Sequence, residues 1–241
     1  MVSLYRIKSF PYKIAYILFL LITLSPLFSG CAHSQSNIFM RENFENIEKW
    51  KPYTFRSIKR HTLYSVVSNG SGTFLKVESR NSASGIVLRE NFNVYHHPFL
   101  RWRWKIEGTY QKGDATRKEG DDYPIRIYVI FNDDFLGILS LPHSSLNYIW
   151  ANRHLDKRII PSSYTKKSML VVLEEGSEKA GKWVEEKVDI VNDYRRAFGE
   201  NPPVNATIGI MGDSDNTGES AISYIDFIEV YGARGGGEPQ H

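Results

Sequence analysis

Short apolar runs, many with polar residues at alternate positions, follow one another along the chain. Alternate side chains of an extended strand face opposite ways. In RWRWKIEG (101–108) that puts Trp102, Trp104 and Ile106 on one face, and Arg101, Arg103 and Lys105 on the other. In IRIYVIF (125–131) Ile125, Ile127, Val129 and Phe131 oppose Arg126 and Tyr128, and NYIWAN (147–152) sets Tyr148 and Trp150 on a common face. The pattern predicts strands at 38–44, 63–67, 73–78, 85–90, 100–107, 125–131, 135–141, 146–151, 169–174, 183–190, 206–211 and 221–231. Between them lie turn-forming stretches such as SNGSG, NSASG, NDD, EEGSEKAGK and GDSDNTGES. Many short strands at this spacing predict an all-β fold, an antiparallel β-sandwich of jelly-roll type.

One short helix is predicted near 192–199, with Asn192 as its cap, Asp193 in its first turn and Gly199 ending it ahead of Pro202. Burying a large aromatic ring is favourable by roughly 2–3 kcal/mol. Trp102 and Trp104 are therefore expected in the core with Ile127 and Val129. If the two alternating strands share a sheet, Arg101, Arg103, Lys105 and Arg126 form a basic face that includes Tyr128, with Tyr148 and Trp150 as further ring surface.

The ends read differently. Arg6, Lys8 and Lys13 precede an apolar run, 14–27, broken by Thr23, Ser25 and Pro26. At about 14 residues the run is short for a bilayer span and has the form of a signal h-region. Cys31, the single cysteine, follows Ser29 and Gly30. LFSGC resembles the bacterial lipobox, with Phe28 where an aliphatic residue usually stands. That resemblance implies lipidation at Cys31, and Ala32 after it resembles lipoproteins released to the outer membrane of a Gram-negative-type envelope. The expected layout is a signal peptide at 1–30, a lipidated tether at 31–37, a sandwich at 38–231 and a mobile tail at 232–241.

The chain of 241 residues carries 30 basic and 27 acidic groups, a net +3. Arg6, Lys8 and Lys13 account for the excess, since removing the first thirty residues leaves 27 basic against 27 acidic. The basic balance belongs to the signal segment, so it is no argument for a nucleic-acid partner.

Two polar stretches are dense enough to carry chemistry. GDATRKEGDDYP (113–124) joins the two alternating strands and holds Asp114, Arg117, Lys118, Glu119, Asp121 and Asp122. It reads as a self-paired solvated loop or as a binding loop at the sheet edge. GDSDNTGES (212–220) has Asp213, Asp215, Thr217 and Gly218 in a D-x-D-x-T-G spacing like the first half of an EF-hand loop, but Tyr224 stands where the bidentate Glu belongs. It reads as a polar turn, or as a calcium loop needing outside ligands. If the two stretches meet, their acids need relief from a cation, from an arginine such as Arg117 or Arg126, or from a shifted pKa. Arginine pairing is the expected relief. No G-x-S-x-G elbow, zinc-type histidine spacing or phosphate loop before a helix is present.

The blocks LRWRWKIEG, TRKEGDDYPIRIYVIF, LNYIW, DYRRAFGE and GDSDNTGESAISYIDFIEV resemble, in order, those of a bacterial envelope family known only as domain of unknown function 3047. The resemblance spans about 40–231 and implies a location more than a reaction. FMRENFENIEKW and SYIDFIEVYG are similar to the first and last strands of jelly-roll carbohydrate-binding modules. That second resemblance implies paired ends and a structural calcium held by Glu42 or Glu45 with Asp226.

Three functions remain open. One is a non-catalytic lipoprotein binding a glycan or another envelope polymer, with Arg101, Arg103, Asp121, Asp122, Arg126, Tyr128, Tyr148, Trp150, Asp213, Asp215 and Asn216 as candidate contacts. Another is a polysaccharide hydrolase or lyase working through carboxylates among Asp121, Asp122, Glu185, Asp213 and Asp215. The third is a structural lipoprotein docked on another envelope protein. Clustered carboxylates with strongly shifted pKa values favour the enzyme, and a broad apolar patch favours a protein partner.

Overall fold

The fold is that of a computed structural model, which describes residues 37–70, 72–132 and 144–233. Residues 1–30, expected as a signal peptide, Cys31, the strand expected at 135–141 and the residues from 234 lie outside the described residues.

The elements are β1 (Ile38–Glu42), β2 (Trp50–Tyr53), β3 (Leu63–Asn69), β4 (Gly72–Arg80), β5 (Ala83–Leu88), β6 (Phe92–Asn93), β7 (Phe99–Ile106), β8 (Arg126–Asn132), β9 (Ser145–Ala151), β10 (Ile159–Pro161), β11 (Ser168–Glu175), β12 (Val184–Asp189), α1 (Ile190–Phe198), β13 (Asn205–Asp213) and β14 (Ser220–Tyr231). They form a six-stranded sheet in the order β12-β7-β14-β4-β3, with β1 also on β14, and an eight-stranded sheet in the order β10-β11-β9-β8-β13-β5-β2, with β6 also on β13. All described pairings are antiparallel except β11 with β9. There the chain returns through 152–167, and β10 pairs on the far side of β11.

The core fills the space between the sheets. Trp102 and Trp104 are fully buried, as their strand's alternation predicts. Their rings meet edge to face at 5.3 Å, and they reach across to Tyr148 (5.5 Å) and Trp150 (5.8 Å) of the opposing sheet. Ile127 and Val129 belong to the same cluster. β7 and β8 lie in different sheets, however, so the single basic face does not exist. The cations Arg101 and Arg103 are on the outside of the six-stranded sheet and Arg126 is on the outside of the eight-stranded one. Alternation fixes which face of a strand is apolar but not which sheet the strand joins.

The helix starts earlier than its sequence signals indicate. Asp189, not Asn192, is the cap, and its carboxylate accepts from the Asn192 N–H at 2.9 Å. Gly199 ends the helix at φ 76°, a left-handed conformation that glycine adopts without a Cβ penalty. The helix lays Tyr194 against Phe131, ring centroids 4.6 Å apart. No helix among the described residues is long and apolar enough to cross a membrane.

One end of the sandwich is where the chain repeatedly changes sheets. β4 passes to β5, β7 to β8 and β13 to β14, and registers such as Ser220 with Arg80, Asp213 with Ala83, Met211 with Arg126 and Ser223 with Ile106 bring the three crossings together. Asn81, at φ 46°, makes the tightest of them, a conformation that asparagine tolerates better than most residues.

Candidate functional site

The crossings bring the two polar stretches into contact. Asp122 holds the 214–219 turn: its carboxylate oxygens accept from the backbone N–H of Asn216 (3.3 Å) and Thr217 (2.6 Å). Burial nevertheless pushes its carboxyl above the ordinary range, against those amides. Asp213, the last residue of β13, accepts from the Tyr123 N–H at 3.0 Å and pairs with Arg126, the first residue of β8. The other Arg126 nitrogen faces Asp121 at 3.9 Å. The guanidinium lies over the rings of Tyr123 (4.8 Å) and Tyr128 (5.5 Å).

Arg126 is 6% exposed, Asp213 2%, Asp121 1% and Asp122 0%, so each charge must be met locally. Burial raises the Asp213 carboxyl, with Arg126 pulling it down. Burial also opposes the charge on Arg126, but Asp213 and Asp121 outweigh it and hold the guanidinium cationic. Arginine therefore supplies the relief expected from the sequence. Among the described residues, the one group of three or more acids or histidines placed to share a cation is Asp122, Asp213 and Asp215.

A cleft of about 570 Å³ opens beside this network, on the outer face of the eight-stranded sheet. Its floor crosses five neighbouring strands, from β11 through β9, β8 and β13 to β5, with Asn147, Tyr128 and Met211 in the middle. Phe55 and Ile58 form one wall, and Ser162 and Tyr164 another. Asp121, Asp215 and Asn216 close the polar end, where the Asn216 side chain bonds the Lys118 carbonyl (2.8 Å) and the Tyr164 hydroxyl.

Six sequence candidates thus line one cleft: Asp121, Arg126, Tyr128, Asp213, Asp215 and Asn216. Asp122 sits behind them as the brace of the turn. The others are elsewhere. Arg101 pairs with Glu229 (3.0 Å) and Glu185 (3.6 Å), and Arg103 with Asp226 (2.5 Å), in a self-neutralising ladder on the opposite sheet. Tyr148 and Trp150 share a face as expected, but it faces the core, where both are 0% exposed. The reason is that the 107–125 connection covers the other side of β9, building a second apolar cluster from Ala115, Tyr123, Ile149 and Leu170. Both faces of β9 are buried, so the rings are unavailable for stacking on a ligand.

Two of the three calcium ligands implied by the jelly-roll resemblance are engaged by protein groups. Glu42 accepts from the Phe44 N–H (2.8 Å) and the Trp50 indole (3.3 Å), Asp226 faces Arg103, and Glu45 is exposed. Sequence reasoning missed Asn147 and Tyr164. Asn147 had a signal, a lone amide amid apolar neighbours in its strand. Tyr164 is on a loop and had none.

A family model for a protein of unknown function, DUF3047, matches residues 48–229. The chain belongs to the DUF3047 family. No curated protein sequence matches this DUF3047 chain. Its fold is similar to a family 11 carbohydrate-binding module from Clostridium thermocellum, solved with a beta-1,3-1,4-mixed-linked tetrasaccharide, at 13% identity over 82% of this chain and 96% of that one, TM-score 0.43. It is also similar to the cellulose induced protein Cip1 (12% identity, 83% and 100% covered, TM-score 0.44). A lectin from Bauhinia forficata in complex with GalNAc follows (12% identity, 83% and 99% covered, TM-score 0.41).

Proposed function

We propose that this DUF3047 chain is a non-catalytic binding module holding a glycan, or a similarly hydroxyl-rich envelope polymer, in the cleft beside Arg126. One observation carries the reading, the mixed lining of the cleft. Its floor offers hydrogen-bonding groups fixed by burial, Asp121, Arg126 and Asn147, while Phe55, Tyr128 and Tyr164 supply ring surface around it. A sugar ring has polar edges and apolar C–H faces, and a concave site with a few placed polar groups among rings suits both. Lipidation at Cys31 and attachment to the outer membrane belong to the same proposal, since a tethered module keeps its polymer at the envelope. Isothermal titration of the purified full chain with envelope and plant oligosaccharides tests the binding. Micromolar to millimolar affinity lost on Tyr128→Ala supports it, and no heat with any oligosaccharide overturns it. Mass spectrometry of the N-terminal peptide tests the anchor, and an unmodified Cys31 thiol on a processed chain sinks it.

The enzyme is the second reading, favoured by the raised carboxyls of Asp122 and Asp213 in a shared cluster. Against it, both are already engaged, Asp122 by two amides and Asp213 by Arg126 and the Tyr123 N–H. A general acid must reach the glycosidic oxygen. Release of reducing ends or unsaturated products from a polysaccharide, abolished in Asp215→Asn, would establish the enzyme and displace the first reading.

A further inference from the structure

The floor of the cleft has more acceptors than donors to fill them. Asp121 receives the Ser163 hydroxyl on one oxygen at 3.1 Å, while its other oxygen is buried without a hydrogen-bond partner. Asn147 gives its amide N–H to Ser168 Oγ (2.5 Å) and to the Met169 carbonyl (3.4 Å). A carbonyl can only accept, which fixes the orientation of the amide and leaves the Asn147 Oδ1 atom buried and unpartnered. Both residues are 1% exposed and line the cleft. Asp215, half-buried at the same polar end, receives no hydrogen bond or ion pair from any described residue. Buried acceptors without a donor are rare and unfavourable, so three open acceptors around one cavity point to a donor-rich occupant.

The charge points the same way. Among the described residues, the ionisable acids and bases lining the cleft are Asp121, Asp213 and Asp215 against Arg126. Arg126 pairs with Asp213 and reaches Asp121 only at 3.9 Å. Among the described residues one cation thus faces three carboxylates, and Asp215 has no ion pair. A uronate, sulfate or phosphate would meet them unfavourably, whereas an ammonium brings three donors and the missing charge.

We propose that the cleft selects a glycan bearing free amino groups, a de-N-acetylated amino-sugar polymer, whose ammonium is met by the carboxylates of Asp121 and Asp215. This rests on the glycan reading and narrows it. A metal ion fits less well. Of the three clustered acids, Asp122 has both oxygens on amides and Asp213 has its oxygens on Arg126 and Tyr123. Calcium wants six to eight oxygens, and Asp215 alone of the three is free.

Titration of the full chain at pH 6 with glucosamine tetrasaccharide, its N-acetylated counterpart, cellotetraose and a galacturonate tetramer decides the matter. The expected result is roughly tenfold tighter binding of the amino form than of either neutral form, with the galacturonate weakest. Asp215→Asn, a partly exposed position without partners to lose, should bring that ratio close to unity. Asp121→Asn should do the same, provided its melting curve shows a folded chain. Equal affinity for amino and neutral forms overturns the proposal and leaves the glycan reading intact, as does preference for the uronate. No binding to any of the four overturns both. A rise in melting midpoint with calcium that Asp213→Ala abolishes would assign the site to a metal and overturn the amine.

Discussion

Arg126→Met leaves Asp121 and Asp213 buried with the cation gone and the space nearly filled. Both carboxylates are at most 2% exposed, and Arg126 is the cation paired with each. Breaking a buried pair by removing one partner typically costs about 3–5 kcal/mol, a large share of the 5–15 kcal/mol that holds a typical domain folded. For a domain of this size that is a fall in Tm of roughly 6–20 °C. The loss should also depend on pH. Without the guanidinium, the burial that already raises the Asp213 carboxyl is opposed less, so its folded-state value rises further above the unfolded value. A raised carboxyl contributes stability that is fully present below the unfolded value, near 3.9, and is lost as pH rises through the folded one. The variant should therefore lie closest to the parent in acid and furthest from it at neutral pH. Urea unfolding of the full chain and the variant at pH 5 and pH 7 measures this. Asp213→Asn added to Arg126→Met removes one charge yet keeps an acceptor for the Tyr123 N–H, and should recover part of the loss at pH 7. A penalty under about 1 kcal/mol, the size of a surface pair, or one equal at both pH values, would refute the account of Arg126 as the counter-charge of the site.

Trp104→Ala removes a fully buried ring from the stack with Trp102 and Trp150; about 3–5 kcal/mol should be lost, and a urea midpoint close to the parent's would contradict the packing. Glu186, half-buried on β12, is pushed up to about 7, chiefly by burial and then by Glu174. Its contribution should be present in acid and fall as pH rises through about 7, so Glu186→Gln should flatten the decline in urea midpoint between pH 6 and 8, and an unaltered slope would discount Glu186. Asp189→Ala should cost about 1 kcal/mol through loss of the helix cap, while Asn192→Ala costs less; thermal melts of the two separate them, and the reverse order would relocate the cap.

Legibility in the sequence followed the range of each interaction. The inward faces of β7 and β8 were readable because a strand's alternation is a local property, and Trp102 and Trp104 lie where it puts them. Membership of a sheet is set by partners far along the chain, so Arg101 and Arg126 were wrongly given a common face. Tyr148 and Trp150 misled because a strand covered on both sides has no polar face to orient it. The meeting of Asp122 with the 214–219 turn was conceivable from composition, but it depends on three crossings stacked at one end, which no local signal records. Cap position failed by a few residues because Asp189 and Asn192 are both good caps, and tertiary packing of Ile190 and Val191 chose between them.

β1 pairs with β14 as Ile38 with Tyr231, and the Gly232 N–H closes the ladder on the Asn37 carbonyl at 2.7 Å. The polypeptide therefore enters and leaves the sandwich side by side. Such an arrangement tolerates circular permutation and insertion into a host loop, because a short linker can bridge the two points. It also sets the response to mechanical load. Tension applied between residues 37 and 232 would part antiparallel neighbours from one end, bond by bond, beginning with Gly232 and Asn37, and would leave the interlocked tryptophans of the core to yield last.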